Sequence, residues 1–330
     1  MATLIGAGCA SGSGHAAPGA VSSVAPNTPA SRRLVPSTRP PASVPKAAPA
    51  APQQRYEAAL PVAIQEAAAA TTGDRLYVVG GYDTARNSSA AVFVGDGNTW
   101  ARGPSLPVAV NHPGAAAIGR DVYVAGGFTA NGATSRAFVL AAGTERWREL
   151  PSMRRARGAL ALLSLGGSLY AMGGRDGSAQ IAVPEVFDPN AERWRDLPPM
   201  PDPRNHVGGY LDGGSVCVAG GRTPDTSAAI DCFDPSTSAW QRWGTLPTGT
   251  SGAAVTLLDG VTMVAGGEPA GETSIVGVVQ ESRSGKWSTT AMLVPRHGTA
   301  FAVYRGRLWT CGGATAPGFH AVAACTSISA

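Results

Sequence analysis

RLYVVGG, residues 75–81, is the first of six short apolar runs that each stop at a pair of glycines. The others are DVYVAGG (121–127), SLYAMGG (168–174), SVCVAGG (215–221), VTMVAGG (261–267) and RLWTCGG (307–313). Successive pairs are 46, 47, 47, 46 and 46 residues apart. A fixed period of this size marks a structural repeat. Some 19–20 residues after each of the first five pairs stands a tryptophan: Trp100, Trp147, Trp194, Trp240 and Trp287. A second β-rich run lies between, as in PEVFDP (184–189) and IDCFDP (230–235), and Leu-Pro or a near relative follows the tryptophan. Each unit therefore reads as four short strands joined by turns. A single such sheet has two faces and two edges to cover and is not stable alone. Packing the units radially covers them, which gives an all-β propeller.

The Gly pair, the aromatic three residues before it, the Phe/Tyr-Asp-Pro turn and the spaced tryptophan together resemble the kelch repeat. The resemblance covers about residues 55–330 and implies a six-bladed kelch-type propeller. At matched positions it implies that Tyr77, Tyr123, Tyr170, Cys217, Met263 and Trp309 pack between blades. The sixth unit is short: after Gly312-Gly313 the chain supplies FHAVAACTSIS and ends, with no tryptophan. The missing piece is RYEAALP at 55–61, in which Tyr56 stands for Trp and Leu60-Pro61 for Leu-Pro. An N-terminal strand in the last blade would close the ring and remove an exposed edge.

Composition agrees with this reading. Apolar residues make up 44% of the 330, charged residues 15%, and there are 43 glycines. Helical soluble proteins carry more Glu, Lys and Arg. The net charge of +4 is uneven: residues 1–56 hold Arg32, Arg33, Arg39, Lys46 and Arg55 and no acid, so the rest carries −1. The basic balance belongs to the N-terminal segment and argues against nucleic acid as a partner of the propeller. No run of 18 apolar residues exists, so no transmembrane helix is expected.

Residues 1–54 are rich in Ala, Pro, Ser and Gly. Such a stretch cannot bury enough apolar surface to offset its ordering entropy and reads as a disordered linker. GAGC at 6–9, after Leu4 and Ile5, resembles the end of a bacterial lipoprotein signal. That resemblance implies lipidation of Cys9, membrane contact only through that anchor, and an exported location at the cell surface or in the periplasm. Gly6 stands where that family has Leu, and no basic or full apolar region precedes it; the other reading is a chance Cys in a Gly/Ala tail.

Four further cysteines remain. Cys217 and Cys232 fall on strands two and three of the fourth unit, and Cys311 and Cys325 on the same strands of the sixth. Neighbouring strands put each local pair in reach, so Cys217–Cys232 and Cys311–Cys325 are the expected disulfides. Four buried free thiols are the alternative. Zinc-type spacing is absent, and neither a metal nor a cofactor is expected.

In a propeller the loops that enter strand one and those that follow strand two share a face. Ligand-binding candidates on that face are Glu66, His112, Arg154, Arg157, Arg175, Arg204, His206, Arg222, Arg296 and His297. The three histidines read as equivalent positions in units two, four and six, facing across a channel without converging. Arginine presents a planar fork that matches a carboxylate, and Glu66 with the histidines can move protons. The competing reading is structural: an Arg near the start of strand one is common in kelch repeats and can serve inter-blade hydrogen bonds. The expected function is an extracytoplasmic, monomeric binding module for a glycan, sugar acid or protein ligand. The alternative is a carbohydrate-active enzyme like the kelch-type sialic acid mutarotases, although no motif carries catalytic residues over. Copper oxidases of the galactose oxidase type fit poorly, since Tyr77, Tyr123 and Tyr170 read as core positions. Every repeat is within one residue of its neighbours in length, so no insertion builds an enzyme site, which favours the module.

Overall fold

A computed structural model describes residues 52–177 and 179–330. Cys9 and the proposed linker, apart from its last three residues, lie outside them. Among the described residues there is no helix, and the strands form six four-stranded antiparallel sheets. The first strand, β1 (Gln54–Glu57), belongs to the last sheet. Blade 1 is β2 (Ala68–Thr72), β3 (Arg75–Val79), β4 (Val92–Gly95) and β5 (Trp100–Arg102). Blade 2 holds β6 (Gly114–Ile118), β7 (Asp121–Ala125), the loop hairpin β8 (Phe128–Thr129) and β9 (Gly132–Ala133), then β10 (Ala137–Leu140) and β11 (Arg148–Leu150). Blade 3 is β12 (Ala161–Leu165), β13 (Ser168–Met172), β14 (Glu185–Asp188) and β15 (Arg193–Asp196). Blade 4 holds β16 (Gly208–Asp212), β17 (Ser215–Ala219), the hairpin β18 (Arg222–Thr223) and β19 (Asp225–Thr226), then β20 (Ala229–Asp234) and β21 (Ala239–Thr245). Blade 5 is β22 (Ala254–Leu258), β23 (Val261–Ala265), β24 (Val278–Arg283) and β25 (Lys286–Ala291). Blade 6 is β26 (Ala300–Tyr304), β27 (Arg307–Cys311), β28 (Cys325–Ile328) and, outermost, β1.

The repeat exists because each blade completes the next. The first glycine of every pair sits at φ 64–72°. A Cβ there would fall within 2.8 Å of a carbonyl oxygen in the following blade: Val110, Arg157, Arg204, Thr250, Arg296 and, closing the circle, Ile64. The second glycine donates its N–H to that same carbonyl in all six cases, at 2.8–2.9 Å. Only glycine combines that left-handed φ with so close an approach. The residues three before each second-to-last glycine pack outward from one blade to the next. Tyr123 shares a core cluster with Leu162 and Leu169, Tyr170 with Val216 and Val218, Met263 with Leu308, and Trp309 with Phe93. The tryptophans of the outer strands add a polar pin: Trp147, Trp194 and Trp240 donate Nε1–H to the carbonyls of Pro104, Pro151 and Pro198 one blade back, at 2.8–2.9 Å. Trp100 does the same to Ala58 at 2.8 Å, so the N-terminal segment fills in blade 6 the place that the Leu-Pro segments fill elsewhere. Tyr56 differs from the tryptophans it aligns with. It is 65% exposed.

Disulfides join Cys217 to Cys232 and Cys311 to Cys325, each across directly opposed residues of neighbouring strands. The closed loops span 15 and 14 residues, for which chain entropy gives about 3 kcal/mol each as an upper figure. Reducing both is expected to lower the melting temperature by several degrees in scanning calorimetry with and without dithiothreitol. An unchanged melting temperature would assign the bonds no stabilising role.

Candidate functional site

Three stacked rings of six residues build the loop face around the axis. The innermost holds Glu66, His112, Ala159, His206, Gly252 and Gly298. Each donates its backbone N–H to the carbonyl of the previous member, Gly298 accepting from Glu66, at 2.7–2.9 Å throughout. The ring demands positive φ: all six lie between 50° and 65°. Glycine takes this conformation without penalty, whereas a side chain there costs about 1–2 kcal/mol. One position before lies Gln65, Asn111, Gly158, Asn205, Ser251 and His297, and each pairs with the residue after a glycine pair: Tyr82, Phe128, Arg175, Arg222, Glu268 and Ala314.

Side chains from these rings converge at the axis. Glu66 Oε2 is 3.2 Å from His112 Nε2, and Glu66 Oε1 is 3.5 Å from His297 Nδ1. The same His297 nitrogen is 3.5 Å from Glu268 Oε2. The His112 and His206 rings meet edge to face, with centroids 4.8 Å apart. Arg222 Nη2 lies 3.0 Å from His206 Nε2, and its Nη1 pairs with Glu272 and faces Glu268 at 3.8 Å. Two amides fix the imidazoles. Asn111 donates its NH₂ to Ser88 Oγ and to the Phe128 carbonyl, so its Oδ1 faces His112 Nδ1. Asn205 donates to Gln180 Oε1, and its Oδ1 faces His206 Nδ1. His206 then carries its proton on Nδ1 and a lone pair on Nε2, which accepts from Arg222, whereas His112 donates Nδ1–H to Asn111 and turns Nε2 to the Glu66 carboxylate. Aromatic walls surround the cluster: Tyr82 and Phe128 stand edge to face with His112 at 5.7 and 5.6 Å, and Arg175 lies over Phe128 at 5.4 Å. Beneath it runs the axial channel, about 490 Å³, lined by alanine, leucine and valine of the six inner strands.

Burial and neighbours set the charges. Burial alone would raise the Glu66 carboxyl, but His112, His297 and His206 more than offset it and hold the group below the usual carboxylate range. Burial, with His112 and Arg222 beside it, pushes His206 well below the ordinary imidazole value. Burial lowers His112 as well, against the pull of Glu66. His297 is opposed by burial yet lies above its usual value, because Glu66 and Glu268 both face it. Burial raises Glu268.

The structure gathers six of the ten expected residues here: Glu66, His112, Arg175, His206, Arg222 and His297. The other four are corrected. Arg157, Arg204 and Arg296 are 0–1% exposed and point into the blades. Each donates to the carbonyl of the first glycine in its own blade, Gly173, Gly220 or Gly312. Arg157 then pairs with buried Glu185 at 2.6 Å and Arg204 with buried Asp231 at 2.8 Å. Arg296 has only neutral acceptors, including Thr310 and Thr326 Oγ1, and burial pushes its pKa down to about 10. Arg154 is an exposed partner of Asp196 at 3.2 Å. The histidines are also corrected: His297 aligns with Asn111 and Asn205 rather than with His112 and His206, and the three converge through Glu66. Tyr82, Phe128, Asn111, Asn205 and Glu268 were not among the expected binding residues. Counting one residue past each glycine pair picks out three of them.

Comparison with known proteins agrees with the geometry. The model of the Kelch motif matches residues 65–107, 110–154 and 156–201, the first three repeats. A search of the curated proteins gives no match. Among solved structures, one titled "Structure of YjhT" superposes with a TM-score of 0.73 at 17% identity, covering 82% of this chain and 96% of that one. The chain is a six-bladed β-propeller that carries kelch motifs.

Proposed function

We propose that the protein is an exported binding module whose loop-face cup takes a sugar acid. The propeller scaffold suits a binding or interaction role. The finer reading rests on one observation: Arg175 reaches the cup with its Nε shielded from solvent and without an acceptor among the described residues. A ligand carboxylate would satisfy that donor. Tyr82 and Phe128 line the cup with aromatic surface, and Glu268 and Tyr82 offer partners for the hydroxyls of a sugar. Two disulfides support an oxidising compartment, and a lipid anchor at Cys9 would hold the propeller at the membrane. Calorimetric titration of the full chain with uronic and sialic acids and their uncharged counterparts tests the reading. The acids are expected to bind, and Arg175→Ala to weaken them by about 10–100-fold, the loss of one charge-assisted pair. Equal binding of charged and uncharged sugars, or an unaffected Arg175→Ala, would refute it.

A second reading has its own support. Glu66 with His112 and His297 forms an acid–base set, and anomer interconversion needs one proton removed and one delivered. Exchange spectroscopy on a bound sugar acid separates the two, since a pure module leaves the anomer exchange rate unchanged.

A further inference from the structure

We propose that Glu66, His112 and His206 form a site for one divalent transition ion of the zinc class, held by the Glu66 carboxylate and the Nε2 atoms of both histidines. The donor atoms of these three residues all lie within 4.8 Å of one another. Ligands about 2.0–2.2 Å from a tetrahedral ion lie about 3.3–3.6 Å apart, so closure draws the donors together by at most about 1.5 Å.

Three further observations point the same way. First, each donor has a dedicated support. Asn111 and Asn205 accept the Nδ1 protons and so leave the two Nε2 atoms as the ligating positions, while His297 holds the Glu66 carboxylate. Metal-binding histidines and carboxylates are normally oriented by such outer partners. Second, the placement is costly. Glu66, His112 and His206 occupy left-handed positions that Gly252 and Gly298 fill in the same ring without strain, and retained strain of this kind concentrates at functional sites. Third, three protein donors leave a further coordination position open, the arrangement of reactive rather than structural zinc sites. Two imidazoles favour zinc, nickel, cobalt or copper over magnesium or calcium, which prefer oxygen.

Arg222 competes with the ion, because its Nη2 occupies the lone pair of His206. Loading displaces that contact and leaves Arg222 to Glu268 and Glu272, which already face its Nη1.

The test is a zinc titration of the full chain after chelator treatment, by calorimetry and elemental analysis, with magnesium chloride as the comparison ion and no sugar present. About one equivalent of zinc is expected to bind and magnesium not to bind. Replacement by cobalt(II) should give the visible bands of a four- or five-coordinate centre. The His112→Ala/His206→Ala pair is expected to abolish binding, Glu66→Gln to weaken it more than tenfold, and Arg222→Met to tighten it. His320→Ala, at an exposed histidine whose side chain is not one of the grouped donors, should change nothing. Absence of saturable zinc binding would overturn the proposal. So would zinc binding that persists unchanged in the double variant or in Glu66→Gln, the latter nearly isosteric and serving if the double variant loses its fold. Either failure leaves the sugar-acid reading standing, since that rests on Arg175.

Discussion

Arg157→Met is expected to lower the free energy of unfolding by about 3–5 kcal/mol, the usual cost of leaving one member of a buried ion pair alone. Arg157 and Glu185 are both 0% exposed. Three polar contacts hold the guanidinium: the carbonyls of Gly173 and Val183, at 3.2 and 3.0 Å, and the carboxylate at 2.6 Å. Glu185 also accepts the backbone N–H groups of Arg154 and Arg155 at 2.6 and 3.1 Å, which pins the loop into strand one of blade 3. A methionine fills the space but leaves the carboxylate charged and dry. The double variant Arg157→Met/Glu185→Met should recover much of the loss, because no unpaired charge remains. Recovery is incomplete, since two backbone donors lose their acceptor. Urea unfolding of the two variants and the parent, with unchanged slope, measures both effects. A single-variant cost below about 1 kcal/mol would mean that water reaches Glu185.

This pair also explains where sequence reading of the site reached its limit. The repeat and its four-strand content were legible, because backbone geometry repeats every 46 or 47 residues and leaves its mark each time. The direction of a side chain is another matter. At the entry to strand one, three successive residues face three ways: Arg157 into the blade, Gly158 toward the loop bridge, Ala159 toward the axis. One residue of uncertainty moves an arginine from a ligand cup to a protein interior. The run at 154–157 offered three arginines, and composition alone does not choose among them. A signal existed nonetheless. Aligned on the glycine pairs, the position of Arg157, Arg204 and Arg296 holds Ile64 and Val110 in two other blades, both 2% exposed. A place that accepts isoleucine and valine is buried, so its arginines are interior hydrogen-bond donors. The same alignment puts His297 one residue before Gly298, apart from His112 and His206. The convergence on Glu66 was not legible, because it depends on the rings meeting across the axis, which no local spacing encodes.

A chain that begins at residue 62 should melt at least about 10 °C below one that begins at residue 52. The ten residues removed make contacts that no other segment replaces. β1 pairs with β28 over four residues, Gln54 to Ile328 through Glu57 to Cys325. The Gln54 side chain bridges to blade 5, donating to the Ala291 carbonyl and accepting from the Leu293 N–H, at 2.6 and 2.8 Å. Glu57 accepts from Ser327 Oγ at 2.5 Å, and Ser327 in turn accepts from Arg307 at 2.6 Å. Leu60 is 4% exposed in the cluster that includes Phe93, Tyr304 and Trp309, joining blades 6 and 1. Losing its burial costs about 1.5–3 kcal/mol, and orphaning the Trp100 indole costs about 1–3 kcal/mol more where it stays shielded. With the strand pairing added, the sum passes about 5 kcal/mol, and a domain of this size shifts by about 2 °C per kcal/mol. The truncated chain also exposes the β28 edge, so it should self-associate in sedimentation velocity. Equal melting temperatures and unchanged sedimentation would mean that the ring is held by the glycine–carbonyl bonds between blades alone, among which Gly313 N–H to Ile64 survives the truncation. The two results distinguish a ring sealed by strand exchange between its termini from one sealed only at its inner rim.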